Sequence, residues 1–551
     1  MAVVMKGTPL RLVWPLLLWS GLQPALAADL TPAAVSGQID PGLGRERLER
    51  ERQARDVEER ARRIQMPALQ GEAAPEQQLP EQDVQFSLRG ISFNSSVFLP
   101  KEQLNALAGE YVGRPIGFTD LNALLRRINA LYTERGQLTA RAIVPPQELA
   151  DGVLRVVLIE ASVDQVQWKR APKAVDEDFY RERLEVEADK TLDSQALMTA
   201  LQRFNSTTPG PQVSASLAPG QRFGTTRVDL EAYEPDPLQW SVFLNNYGNE
   251  GSGREQYGGS LTWFSPTGVA DAFSLLLMAS EASRYGSLRY SRPVNRYNGV
   301  VFVEGSANRL QIEEGPFAAL NIEGNSSSYG IGYDQPWWLN ERWQALGGVA
   351  YRQQTSETTI EGVGLSETDI REMILKGQLE YRSQPWYLRY EQRVRQATLD
   401  NRITGDSGNY SLLGGDAYLM RSLPARFEAV GRFGWQYATD AANLPSSLYY
   451  QFGGISSVRG YDAGVISSPQ GMTLNLEMHW RYSERWQPFV FFDYGRAMKL
   501  GNADVDLQSV GVGLNFNWGR HFSASLVAAN TLKDVVPDQD SGQLLAQFVL
   551  R

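Results

Sequence analysis

From Leu238 to Arg551 the sequence repeatedly alternates apolar and polar residues, and that period constrains the fold more than any other feature of the chain. Phe427, Ala429, Phe433, Trp435 and Tyr437 alternate with Glu428, Arg432 and Gln436. Met472, Leu474, Leu476, Met478, Trp480 and Tyr482 alternate with Thr473, Asn475, Glu477, His479 and Arg481. Val510, Val512, Leu514, Phe516 and Trp518 do the same against Ser509, Gly511, Gly513, Asn515 and Asn517. In an extended chain, period two puts all the apolar residues on one face and all the polar ones on the other. Repeated over many segments, this predicts a β-barrel with lipid outside and a polar lumen inside.

The connections give the strand count. Short proline- or charge-bearing turns are expected at Ser265-Pro266, Arg292-Pro293, Gln335-Pro336, Gln384-Pro385, Leu423-Pro424, Ser483-Glu484 and Gly519-Arg520, with longer polar, Gly-rich segments between them. Seven such turns separate eight hairpins and predict sixteen antiparallel strands, an even number as bacterial barrels require. Each strand with its connection then has roughly twenty residues, enough for a tilted span of about ten.

Composition removes several functional classes. The chain has no Cys and only two His, His479 and His521, which excludes disulfide frameworks, thiol nucleophiles and ordinary zinc sites. A net charge of −10 argues against a nucleic-acid partner. His479 falls on the wet face beside Glu477 and reads as a lumen-lining residue, and His521 falls in a short turn. Gly362 and Gly364 lie in a polar segment with no helix after them, so no phosphate-binding loop is expected. Neither metal nor cofactor is expected, nor is an enzyme.

Between two of the alternating segments lies Gln451 to Gly464, QFGGISSVRGYDAG, with Val458, Arg459, Gly460 and Tyr461 in a row. An arginine in such a loop keeps its charge. Either it stays in outside water, or it turns into the lumen to meet a carboxylate. Phe489 to Gly495, FVFFDYG, offers one: Phe491, Asp493 and Gly495 share the inward face, while Val490, Phe492 and Tyr494 face lipid.

A Val-Arg-Gly-Tyr loop followed by Phe-x-Asp-x-Gly on the next strand but one resembles the outer-membrane transporters of two-partner secretion. These form the haemolysin secretion/activation family, a branch of the superfamily that also contains the barrel assembly factors. The resemblance implies that loop six folds into the lumen and that Arg459 pairs with Asp493 on strand thirteen, the positions the turn count assigns independently. It also implies residence in the outer membrane of a Gram-negative bacterium. The partner would be one large exoprotein, adhesin- or haemolysin-like, carrying an N-terminal secretion domain and exported from the periplasm without nucleotide hydrolysis. Many outer-membrane barrels finish on an aromatic residue, whereas here Phe548 lies three residues before Arg551.

The residues before the barrel suit that family. Residues 1–27 combine Lys6 and Arg11, an apolar run from Leu12 to Leu18 and an Ala25-Leu26-Ala27 exit, which predicts a secretory signal peptide. In 28–66, Arg45 to Gln65 is rich in helix formers with charge on every side, so it can neither lie in lipid nor join a core. On its own it reads as a solvated spacer; the family implies a plug helix threaded through the barrel, and about 30 Å of helix matches the bilayer. Residues 67–82, with Pro67, Gly71, Pro75 and Pro80, read as a linker.

Residues 83–160 then run strand, helix, helix, strand, strand, from Val84–Leu88 through Pro100–Leu107 and Thr119–Arg135 to Leu138–Val144 and Val153–Ile159. That order, with PPQELADGVLRVVLIEA, looks like a periplasmic polypeptide-transport-associated (POTRA) domain. Residues 161–236 repeat it more loosely, with a helix at Ser194–Phe204, and the barrel occupies 237–551. Candidate cargo-docking positions are Leu124 and Ile128 on the long helix, which otherwise read as core. Two such domains favour export; the alternative is a barrel assembly factor, expected to carry a longer string of them. A passive porin or barrel enzyme leaves the first half of the chain unexplained.

Overall fold

The computed structural model describes residues 41–62, 69–70, 76–80, 84–315, 318–500, 503–536 and 539–551. The expected signal peptide lies outside the described residues. No helix among them is long and apolar enough to cross a membrane.

Sixteen strands, β10 (Leu238–Asn245) to β20 (Phe427–Ala438) and β23 (Gln470–Trp480) to β27 (Gly542–Leu550), close into one antiparallel barrel. Closure pairs β10 with β27, from Val242 opposite Leu550 to Asn245 opposite Gln547. A closed sheet leaves no strand edge, so hydrocarbon meets only side chains. The alternation holds: on β20, Phe427, Phe433 and Tyr437 are exposed on the outer surface while Glu428 and Gln436 are buried inside. Trp240, Trp263, Trp337, Trp386, Trp480, Trp486 and Trp518 are exposed outward at the short-turn ends of their strands, forming an aromatic girdle at one membrane face.

Five of the seven expected turns lie where the sequence puts them. The exceptions are Arg292-Pro293, the last paired residues of the strand Ser283–Pro293, where the chain turns at 294–299, and Gln335-Pro336, which sits inside β15 (Ile322–Trp338), with the chain turning at residues 339–342 instead. Pro336 faces Leu346 near the strand end, where a missing N–H costs little.

Two α+β units precede the barrel. In the first, β3 (Gly90–Phe93), helices Lys101–Gly109 and Phe118–Glu134, β5 (Ala140–Ile143) and β6 (Val153–Glu160) build a sheet ordered β3-β6-β5. The expected first strand at Val84–Leu88 contributes only β2 (Phe86–Ser87), which pairs with β4 (Pro115–Ile116) apart from the main sheet. The second unit runs β7 (Ser162–Arg170), helices Glu177–Leu184 and Ser194–Thr207, β8 (Gln212–Pro219) and β9 (Thr225–Tyr233). Its short first helix, EDFYRERL, is weakly marked in the sequence because only Phe179, Tyr180 and Leu184 form an apolar side.

The linker is not a free spacer. Its β1 (Leu69–Gln70) joins the second unit's sheet beside β8, giving the order β1-β8-β9-β7. The second unit also docks on the barrel turns. Arg183 donates to Asn298 Oδ1 at 2.8 Å and to the Asn295 carbonyl at 2.9 Å, and its guanidinium lies 3.5 Å above the Phe179 ring. Asn298 in turn donates to the hydroxyls of Thr207 and Thr208, each at 2.8 Å. Burial brings the Arg183 guanidinium down to about 10, so it stays a cation at neutral pH.

Candidate functional site

Two things fill the barrel lumen: the helix Pro41–Arg62 and the loop between β20 and β23. The helix starts four residues before the expected Arg45 and runs along the inner wall, where its acids meet wall arginines. Glu46 pairs with Arg395 at 3.4 Å, Glu49 with Arg352 at 3.6 Å and Glu58 with Arg432 at 3.0 Å. Near its end Arg62 reaches Glu428 at 3.3 Å, and the Arg382 guanidinium donates to the Arg60 carbonyl at 3.1 Å. Charge on every side of a helix suits a lumen whose own wall is charged on every side. The sharper of the two sequence readings, a plug, is the observed one.

Loop six carries its own small fold. Strands β21 (Tyr450–Phe452) and β22 (Ile466–Ser468) pair, and Phe452, Val458, Tyr461, Val465 and Ile466 pack with wall residues Ala497 and Leu507. At its tip Val458 and Arg459 meet the wall motif, while Gly460 and Tyr461 meet the neighbouring strands and their connection. Arg459 makes a bidentate contact with Asp493: Nε donates to Oδ2 and Nη2 to Oδ1, both at 2.7 Å, and its backbone N–H donates to Oδ2 at 3.1 Å. The guanidinium also lies 3.7 Å above the Phe491 ring. Gly495 leaves the space Val458 needs, since a Cβ there would come within 2.8 Å of Val458 Cγ2. Gly460 turns at φ +89° against Ala529 and Thr531, a backbone that an L side chain rarely adopts. Tyr461 donates to the Lys533 carbonyl at 2.7 Å and accepts from the Gln508 N–H at 3.1 Å.

A second carboxylate joins the pair. Arg459 Nη1 donates to Glu477 Oε1 at 2.7 Å, and the same oxygen accepts from Arg432 Nη1 at 2.8 Å. Arg432 is also the plug's partner through Glu58, so the chain Glu58–Arg432–Glu477–Arg459–Asp493 runs unbroken from the plug to loop six. Register explains the meeting: Arg432 lies opposite Asn475, and Asn475 opposite Asp493 on β24 (Trp486–Leu500), a row across three strands. The signal was present in the wet-face alternation of Arg432 and Glu477, but it became legible only once the register was known. Asn475 completes the row by donating to the Ser457 carbonyl at 2.5 Å.

His479 lies on the lumen wall as expected, 2.7 Å from Glu477 Oε2 and stacked on Phe489 with ring centroids 4.7 Å apart. No group of three metal-ligating side chains occurs among the described residues. Leu124 and Ile128 are a correction: both are 0% exposed in the first unit's core, so neither can touch a partner while the domain is folded.

A closed sixteen-stranded barrel, a lumen plug, an inward loop six and POTRA-type units together define an outer-membrane protein translocator. Residues 224–516, more than half of the chain, match the family model of haemolysin secretion/activation proteins ShlB/FhaC/HecB, and residues 86–161 match the ShlB-type POTRA domain. The chain belongs to that family, the outer-membrane transporters of two-partner secretion, with its POTRA units in the periplasm.

It is 23% identical to the heme/hemopexin transporter HuxB of Haemophilus influenzae, covering 93% of this chain and 95% of that one. It is also 23% identical to the haemolysin transporter ShlB of Serratia marcescens, over 82% of each. In fold it is similar to CdiB from Escherichia coli, with a TM-score of 0.67 and 19% identity over 95% of this chain and 99% of that one. BamA from Haemophilus ducreyi shares the fold at a TM-score of 0.51, with 13% identity over 84% of this chain and 99% of that one. The family match favours export over the barrel-assembly alternative.

Proposed function

We propose that the chain exports one large cognate exoprotein, of the adhesin or haemolysin class, recognised in the periplasm through its N-terminal secretion domain. The cargo arrives unfolded, adds an extended segment to a POTRA sheet edge and threads into the lumen once the plug yields. Folding outside supplies the direction, so neither nucleotide nor catalysis is required. Val458, Arg459, Gly460 and Tyr461 with Phe491, Asp493 and Gly495 hold loop six against the wall and keep the conduit in one state. The observation that carries this reading is the buried contact of Arg459 with both Asp493 and Glu477 beside a plug that shares the same charge chain.

The test compares surface and secreted proteins by mass spectrometry in cells with and without the chain. Loss of a single large protein from the exterior is the expected result. A broad fall in barrel proteins would overturn it in favour of an assembly role.

A further inference from the structure

We infer that the linker between the plug and the POTRA units is an internal stand-in for cargo: it occupies the strand-addition edges of both units, and an extended segment of the exported protein takes its place. The inference rests on the export reading above and adds how that site is kept closed until cargo arrives.

Both units have the same kind of open edge, on the strand that follows the second helix. In the second unit, Asn205 on helix Ser194–Thr207 donates to the Val213 carbonyl and accepts from the Val213 N–H, both at 2.8 Å. Val213 therefore turns away from β9, and alternation turns Ala215 and Leu217 the same way. In the first unit, Asn129 on the long helix accepts from the Ala142 N–H at 2.8 Å, so Ala142 and Val144 turn away from β6. An edge with outward N–H and C=O groups is what an added strand pairs with.

The linker meets both edges. Leu69 and Gln70 pair in parallel with Ala215 and Ser216, and the Leu69 side chain packs on the second unit's core. Seven residues later, Gln77 treats Val144 as a neighbouring strand would: Nε2 donates to its carbonyl at 3.0 Å and Oε1 accepts from its N–H at 2.7 Å. Leu79 then packs on the first unit's core beside the long helix, its N–H and C=O both bonded to the Asn122 side chain, at 2.9 and 3.1 Å. Pairing at the edge together with a leucine in the adjoining apolar pocket is how sheets recognise extended peptides; here the main chain pairs at β8, the Gln77 amide imitates that pairing at Val144, and each contact has its leucine, all within eleven residues of the chain.

Among the described residues, Leu69 and Gln70 form ladder with β8, which itself runs for eight residues from Gln212 to Pro219. The linker is also continuous with the plug: six residues, 63–68, separate Arg62 from Leu69. That length keeps the plug's end within roughly 24 Å of β8 while Leu69 stays docked. Cargo that displaces the linker therefore removes the plug's nearest tether in the same step.

The chain has no cysteine, so an engineered pair is unambiguous. In Q70C/S216C, oxidation ties the linker to β8 in the full-length chain. Export of the protein identified by the surface comparison is expected to fall at least tenfold and to recover with dithiothreitol, while barrel insertion is unchanged. The edge is probed without cargo by a fluorescent peptide of residues 66–73 added to the detergent-solubilised full chain. The tethered copy competes at a millimolar effective concentration. Binding is therefore expected to be at least tenfold tighter to Leu69→Asp than to the unmodified chain, and absent from the oxidised cysteine pair.

Undiminished export by the oxidised pair, in cells where the unmodified chain exports, overturns the inference. So does failure of Leu69→Asp to gain peptide affinity. If the unmodified chain exports nothing, the export reading itself has failed and the inference falls with it, even where the peptide binds.

Discussion

The plug helix and loop six both carry charge into the same lumen, yet the wall holds them differently. The plug's ion pairs with the wall span 3.0 to 3.6 Å, with side chains such as Glu58 and Arg432 a quarter exposed to water. Loop six is held by a bidentate pair with Arg459 and Asp493 at 5% and 0% side-chain exposure, by a second carboxylate and by an apolar cluster of its own. Water-accessible ion pairs contribute little and are screened by salt, whereas a buried pair is costly to break from one side. In the proposed export route, the plug is the element that yields and loop six the one that stays.

Breaking the fixed side gives the largest effect. Arg459→Ala leaves Asp493 and Glu477 facing each other without their shared cation, at a cost of about 3 to 5 kcal/mol. Export is expected to be lost while the barrel still inserts, with loop six newly open to added protease. Full export by this variant would remove loop six from the mechanism. A smaller effect should come from shape alone: Gly495→Val overlaps Val458 and costs about 1 to 3 kcal/mol. Adding Val458→Ala should recover much of the lost export, and no recovery would mean the two side chains do not share that space.

The plug side should respond least in energy. Glu58→Gln removes a pair within the plug, to Arg62, and one to the wall, to Arg432; losing the wall pair, worth at most about 1 kcal/mol, raises the open fraction of single channels by roughly two- to fivefold. Moving from 0.1 to 1 M salt shortens screening from about 10 to about 3 Å and should likewise favour the open channel. Protease protection of loop six should stay constant through the same change. If loop six loosens along with the plug, the contrast between them is wrong.

Legibility followed the same physics. Alternation in β20, β23 and β24 named the inward residues, and the two short motifs supplied Arg459 and Asp493, because strand periodicity is local and a wall position is fixed by its neighbours in sequence. Arg292-Pro293 and Gln335-Pro336 lie in strand ends rather than turns because proline tolerates a strand end as well as a turn. Glu477 as the second partner, and Arg432 as the joint between plug and loop, required the register across three strands. The linker reads as polar and proline-rich, and Leu69, Gln77 and Leu79 carry no periodic sign that they are docked, since their partners lie on separate units far away in the chain.

Sequence by itself thus determined the barrel, its strand number, the POTRA order and the loop-six motif, all carried by local period or adjacent residues. Only the tertiary structure decided that Leu124 and Ile128 are sealed in a core, that the charged helix lies in the lumen, and that the linker covers both sheet edges. These are pairings between residues far apart in the chain, and a contact that no local pattern encodes becomes visible only when the chain has closed on itself.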